Sequence, residues 1–337
     1  MRVPDESTTK GPRITIIGAG AVGVTCAYAL VLKGTAREIV LINRDPNKAQ
    51  GEASDLQHAV PLGQPVTVIA GDYGDAAKSA IVIFAAGAAS TDKAESSLEL
   101  LGKNAEILRD CVGKLKAEGF AGVLLIASNP VDVLTYIAQQ ESGLHYSKVI
   151  GTGTVIDTNR LRTLVGEKLG IEARSIHGYV IGEHGDSSVA VWSRTQVAGM
   201  PLASYPGAKD LPSFSELLEE VRKAGSEVLE LKGNTCYAIA SCLERICEAI
   251  LRDERSVLTV SARLNGESDL QDVCLSTPCV LGSKGVEKVL ELPLSDAEMQ
   301  ELHRSAAVLR GAFQQSQDAE TKKALQTGDF RKSDSRQ

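Results

Sequence analysis

The stretch RITIIGAGAVGVTCAYAL, Arg13 to Leu30, decides the fold. Arg13–Gly18 is a short apolar run of the kind that forms a strand buried on both faces, and Ala21–Leu32 has the apolar spacing of an amphipathic helix. Gly18, Gly20 and Gly23 punctuate the junction. The first glycine permits a tight turn and the second lets backbone approach a pyrophosphate. The third lets the helix press against the sheet with its N-terminal amides facing the anion. A bare G-x-G-x-x-G is common, but a strand before it and a helix after it make it a dinucleotide-binding turn; the alternative is a tight turn without a ligand.

Working outward, EIVLIN (Glu38–Asn43), PVTVIAG (Pro65–Gly71), AIVIFAAG (Ala80–Gly87) and GVLLIASNP (Gly122–Pro130) repeat the continuous apolar run, while Asn47–Leu56 and Ser97–Leu115 read as helices. Strands alternating with helices over short connections predict an α/β fold, a doubly wound parallel (Rossmann) sheet. After about Val149 the pattern changes. Helices predicted over Asp157–Leu169, Phe214–Lys232, Thr235–Arg252 and Asp296–Phe313 alternate with short strands such as SVLTVSARL and VCLSTPCVL. This second part reads as an α+β substrate domain, with the working site in the cleft between the two. The expected boundaries are 12–150 for the dinucleotide-binding domain and 151–317 for the substrate domain, with polar tails at 1–11 and 318–337. The polar run after Phe313 is expected to fray.

The 337 residues are enough for two packed subdomains, and 43% hydrophobic with 23% charged content is that of a globular chain. A formal net charge of -7 argues against nucleic-acid and polybasic membrane partners. The seven cysteines are scattered, odd in number and lack metal-ligand spacing, which points to free thiols in a reduced cytoplasm and to no metal. MRVPDESTTKGP lacks the apolar core of a signal peptide, and no run is long and apolar enough to span a bilayer.

The second strand of such a domain ordinarily ends in a carboxylate that grips the adenosine ribose. Here LINRDPNK puts Asn43 there, followed by Arg44 and, four residues on, Lys48. A carboxylate would repel a 2′-phosphate, whereas an amide beside a guanidinium welcomes one, so NADP(H), or dual use, is favoured over NAD(H). The alternative has Asn43 on the ribose and Arg44 over the adenine.

YVIGEHGDSS, Tyr179–Ser188, sets a histidine where a strand runs out into a charged loop. GTGTVIDTNRLR, Gly151–Arg162, places Asp157 at a helix start with Arg160 one turn on and on the same side. A carboxylate near an imidazole fixes its tautomer and favours its protonated form, and a guanidinium in the same cleft would bind a substrate carboxylate through two parallel hydrogen bonds.

GAGAVG, SNPVD, GTGTVIDTNRLR, IGEHGDS and KGNTCYAIA together resemble the lactate/malate dehydrogenase family of L-2-hydroxyacid dehydrogenases, from about Pro12 to Phe313 and nearest to the L-lactate dehydrogenase branch. The resemblance implies an oxidoreductase passing hydride between a nicotinamide dinucleotide and a 2-oxo acid/L-2-hydroxy acid pair, in a homotetramer or homodimer. It implies His184 as the acid/base, Asp157 as its partner and Arg160 as the carboxylate clamp. Asn129 would meet the substrate oxygen and the nicotinamide side, Thr235 the substrate side chain, and Ile239 the nicotinamide ring. Val22, Tyr73, Gly87 and Ala88 would line the dinucleotide. Each has a plainer alternative: a loop cap before Pro130 for Asn129, a helix N-cap for Thr235 and Asp157, a surface ion pair for Arg160. Arg162 and His177 match positions that bind a phosphorylated effector, a sugar bisphosphate, in bacterial relatives; the alternative is a helix-surface arginine and an interface histidine.

The chain departs from the family in the loop GAASTDKAESSLELLGKN. Family members carry an arginine in a G-E-[ST]-R-L pattern that closes over the substrate carbonyl. Here Ser97 occupies its place, and the specificity position falls on Ser90 or Thr91. A preorganised cation at a developing oxyanion contributes a few kcal/mol, roughly 10²–10³ in rate, and a serine hydroxyl does not supply that charge. Lys93 substitutes for it, or the substrate is bulkier or another ketone, or the chain is a non-catalytic dinucleotide-binding paralogue.

Overall fold

The computed structural model describes residues 11–88 and 97–327, with side chains over 11–88 and 99–318. Five strands, β1 (Arg13–Ile17), β2 (Glu38–Ile42), β3 (Thr67–Ala70), β4 (Ile81–Phe84) and β5 (Val123–Ile126), alternate with α1 (Ala21–Lys33), α2 (Pro46–Ala59), α3 (Tyr73–Ala77) and α4 (Ser97–Ala117). α5 (Val131–Ser142), β6 (Val149–Gly151) and α6 (Val155–Leu169) follow. The short strands β7 (Ile176–His177), β8 (Val180–Ile181), β9 (Val189–Ala190), β10 (Gln196–Val197) and β11 (Met200–Pro201) then lead to α7 (Phe214–Lys232) and α8 (Tyr237–Leu251). The chain ends with β12 (Ser256–Asn265), β13 (Gln271–Gly282), β14 (Gly285–Val289) and α9 (Asp296–Thr327).

β1 to β6 pair in parallel in the order β3-β2-β1-β4-β5-β6, the doubly wound arrangement expected. The same sheet continues without a break: β12 pairs antiparallel with β6 at Ser261 opposite Gly151, and β13 and β14 follow antiparallel, giving nine strands. Side chains of β1 alternate between two cores. Ile14 and Ile16 join Leu41, Ile83 and Leu125 beneath α1 and α8, while Ile17 joins Val40, Phe84 and Ile126 beneath α4 and α5. Burial on both faces explains why these runs read as unbroken apolar stretches. Each such side chain contributes roughly 1.5–3 kcal/mol.

Several helix boundaries differ from the sequence reading. α6 begins at Val155, two residues before Asp157, and α8 begins at Tyr237, so Thr235 lies ahead of the helix. α2 runs from Pro46 to Ala59. α9 continues past Phe313 to Thr327, because no glycine or proline interrupts the chain before Gly328 and polarity alone does not stop a helix. No described helix is long and apolar enough to cross a membrane.

Candidate active site

The strand order reverses between β1 and β4, and the glycine-rich turn sits at that crevice. Gly18 has φ +110°, and a Cβ there would meet the Ala86 amide at 2.6 Å. A Cβ on Gly23 would collide with the Gly18 carbonyl, so the first turn of α1 lies directly on the strand end. Beside Gly20 there is nothing within 4 Å. α1 has no capping side chain and no acidic residue in its first turn. Its N-terminal amides are therefore left for an anion, and the cradle fits a dinucleotide pyrophosphate. Val22 is half-buried against the core of the first sheet face.

Asn43 is already engaged. Its Oδ1 accepts the Ala19 amide at 3.3 Å and its Nδ2 donates to the Asp45 carbonyl at 3.2 Å, which ties the end of β2 to the glycine turn. Arg44 and Lys48 are exposed and make no ion pair among the described residues. Tyr73 donates its hydroxyl to Cys111 Sγ at 3.1 Å, so its polar end turns toward α4. Gly87 and Ala88 are held by Asn104, a residue the sequence did not single out. Its Oδ1 accepts the Ala88 amide at 2.8 Å and its Nδ2 donates to the Asn129 carbonyl at 2.8 Å. One buried amide thus joins the two turns expected along the nicotinamide half of the ligand. Asn129 precedes a cis peptide to Pro130, and its side chain is exposed.

The imidazole is built into the second half. Gly182 (φ +86°) leaves β8 and pairs both ways with Ser276 of β13, at 2.8 and 2.9 Å. Glu183 then donates its amide to Ser305 of α9 at 2.8 Å, and His184 donates its own amide to Asp132 Oδ2 at 2.8 Å. Held this way, His184 Nδ1 lies 2.6 Å from Asp157 Oδ2. Arg160 Nη1 donates to the other oxygen, Oδ1, at 2.9 Å. The structure therefore brings His184, Asp157 and Arg160 together on one carboxylate, and Asp157 is neither a helix start nor an N-cap, the cap position belonging to Thr154.

Burial works against the charge on His184, but Asp157, by charge and hydrogen bond and with help from Asp132, outweighs it and holds the imidazole pKa above its usual value. Burial pushes the Asp157 carboxyl up; His184 and then Arg160 overcome this and leave it below the usual carboxylate range. With Nδ1–H donated to Asp157, Nε2 remains without a protein partner among the described residues. Arg160 borders a cavity of about 210 Å³ with Leu164, Glu220 and Val221, and a Cβ on Gly225 of α7 would come within 3.1 Å of its Nη2.

Thr235 is half-buried in the connection between α7 and α8, and Ile239 packs at the edge of the first core. His177 is exposed on β7. Arg162 donates from Nε to the Gly178 carbonyl at 3.2 Å and lies 5.7 Å from the Tyr179 ring, so local contacts already occupy it. Ser90, Thr91, Asp92, Lys93 and Ser96 lie outside the described residues, as do the N-terminal tail and the chain beyond Thr327. Ser97 opens α4, and its side chain too lies outside them.

A parallel sheet with an uncapped glycine turn, together with a histidine–aspartate pair and an arginine, is the pattern of a Rossmann-fold oxidoreductase of the nicotinamide-dependent class. The NAD-binding domain of lactate/malate dehydrogenases matches residues 12–151, and the α/β C-terminal domain of the same family matches residues 154–320. The L-lactate dehydrogenase of Thermoanaerobacter sp. (strain X514) is 45% identical over 90% of this chain and 98% of its own. That of Synechococcus sp. (strain JA-3-3Ab) is 44% identical over 88% and 96%. The crystal structure of a minor L-lactate dehydrogenase from Enterococcus mundtii in its ligand-bound form superposes with a TM-score of 0.87 at 38% identity, covering 90% of this chain and 98% of that one. The chain belongs to the lactate/malate dehydrogenase family.

Proposed function

We propose that the chain reversibly reduces a 2-oxo carboxylic acid to the L-2-hydroxy acid, with pyruvate and lactate as the default pair. The observation that carries this is the single carboxylate, Asp157, that holds His184 and Arg160 side by side. Arg160 fixes the substrate carboxylate through its remaining donors, and Asn129 donates to the substrate oxygen. His184 gives that oxygen its Nε2 proton, and Asp157 stabilises the imidazolium before the proton leaves. Thr235 and Ile239 border the substrate side chain and the ring face. A bound nicotinamide dinucleotide supplies the hydride. Residues 12–150 hold it and 151–317 supply the acid–base and carboxylate-binding groups.

The cofactor reading is NADP(H), or dual use, favoured over NAD(H), resting on exposed Arg44 and Lys48 and on an amide rather than a carboxylate at Asn43. With serine at Ser97 where the family carries an arginine, and Ser90 at the specificity position, bulkier 2-oxo acids fit the reading as well as pyruvate. Assembly as a homodimer or homotetramer accords with Tyr28 and Leu32 exposed on α1 and Tyr237 exposed on α8, two helices that pack together. Arg162 and exposed His177 stay candidates for a phosphorylated effector, tested by adding fructose 1,6-bisphosphate. The protein works in the cytoplasm on this reading.

The test is a panel of 2-oxo acids assayed with NADH and with NADPH against a His184→Ala control. The expected outcome is turnover that the substitution abolishes, with NADPH used at least as well as NADH. Turnover no greater than in the control leaves a non-catalytic dinucleotide-binding protein.

A further inference from the structure

Asp132 is buried at 2% exposure in the first turn of α5, three residues after Asn129. Its Oδ2 accepts the His184 amide at 2.8 Å, and Ser276 Oγ lies 3.5 Å from its Oδ1. Ser276 Oγ also takes the Thr154 amide at 3.0 Å, at the cap of the helix that carries Asp157 and Arg160. One carboxylate in the first half therefore touches the histidine loop directly and the start of α6 through one serine. The turn bearing Asn129 is joined to both.

No cationic side chain bonds Asp132 among the described residues. Burial raises its carboxyl to about 6, against the nearby Ser261 hydroxyl and the hydrogen bond from the His184 amide. An asparagine would accept the same amide without the cost of burying a charge. What the carboxylate adds is negative charge behind the imidazole. The groups facing this pair are Asp157 and Arg160 from α6 and Glu183 from the loop. β12 adds Ser261, and Arg263 paired to Asp272 at 2.6 Å; Cys274 and Ser276 come from β13 and Arg310 from α9. Asp272 and Arg310 border a cavity of about 220 Å³ behind Asp132.

We propose that Asp132 is a positioning residue of the reaction: it anchors the His184 backbone to the turn carrying Asn129 and sets a second negative charge behind the imidazole. This rests on reading His184 as the proton donor. Asp157 holds the ring from its Nδ1 edge, and Asp132 holds the chain on which the ring is mounted.

The experiment compares the full chain with Asp132→Asn and Asp132→Ala. His184 is titrated by NMR on histidine-labelled protein, assigned with His184→Gln, alongside NADH binding and pH profiles of 2-oxo acid reduction. In Asp132→Asn the expected result is unchanged NADH affinity, His184 titrating at lower pH, and the alkaline limb of the profile moving with it. There kcat falls on the order of tenfold with little change in KM, and Asp132→Ala, which also loses the acceptor, falls further. Superimposed titrations and profiles, with kcat within twofold, overturn the proposal. If no 2-oxo acid is reduced by the unaltered chain, the proposed function fails, yet the NMR titration still decides the role of Asp132. Should Asp132→Asn not fold, Ser276→Ala reads the clasp from its other side. A several-fold rise in KM for the 2-oxo acid at unchanged NADH affinity supports it, and unchanged KM and kcat overturn it.

Discussion

Asp157 and His184 meet at 2.6 Å across 27 residues of sequence, and that contact sets which nitrogen of the ring is free to work. On the proposed function, reduction of a 2-oxo acid needs His184 protonated. Its pKa is raised above the ordinary 6.5, so kcat/KM for reduction is expected to hold through neutral pH and to fall as pH rises through the raised value; oxidation of the 2-hydroxy acid runs the opposite way. Asp157→Asn removes the charge, so the reductive limb moves to lower pH and kcat falls roughly 10²–10⁴-fold, read in pH–rate profiles. The same pair bears on stability. A raised histidine pKa stabilises the fold below the unfolded value and is lost as pH climbs through the folded one. The depressed Asp157 stabilises above its unfolded value and is lost as pH falls through the folded one.

Arg160 is expected to set KM rather than NADH affinity. Arg160→Lys keeps a charge but loses the planar fork, so KM for the 2-oxo acid rises on the order of tenfold to a hundredfold. Gly225→Ala places a methyl about 3 Å from the guanidinium and raises KM by a smaller factor. Steady-state kinetics with NADH titrated separately checks both; an altered NADH affinity with KM unmoved contradicts the assignment.

The glycine turn separates binding from folding. Gly23→Ala puts a Cβ against the Gly18 carbonyl and is expected to cost on the order of 1–3 kcal/mol of stability as well as dinucleotide binding. Gly20→Ala meets open space, so Tm stays within a degree or two while the Kd for dinucleotide rises. Thermal melts alongside fluorescence titration distinguish the two.

Placing a cation at residue 97 tests the reading of the loop. Ser97→Arg is expected to raise kcat/KM for pyruvate by roughly 10²–10³, the contribution of a preorganised charge at the carbonyl oxygen. No gain across a panel of 2-oxo acids would mean that another group, such as Lys93, already fills that role.

How much of this was legible depends on how local each signal is. Strands buried on both faces announce themselves in six residues, and the duties of Gly18 and Gly23 follow from their neighbours in the chain. The partners of the site are not local. Asn104 sits on a helix face with no motif around it, and Ser276 reaches Asp132 across 144 residues, so neither differs in sequence from an ordinary buried polar residue. Asp132 was visible only as the last letter of SNPVD. The length of α9 was hidden because a uniformly polar stretch carries no period from which to read a helix.

The pairing of Gly151 with Ser261 joins the two family segments in one continuous sheet. Cutting the chain after residue 151 would strip β6 of its neighbour and uncover Val149 and Ile150, both wholly enclosed in the intact sheet. An orphaned apolar border of that kind recruits foreign strands. A truncated nucleotide-binding fragment should therefore precipitate or self-associate, and the dinucleotide cradle is best studied with the remainder of the polypeptide still attached.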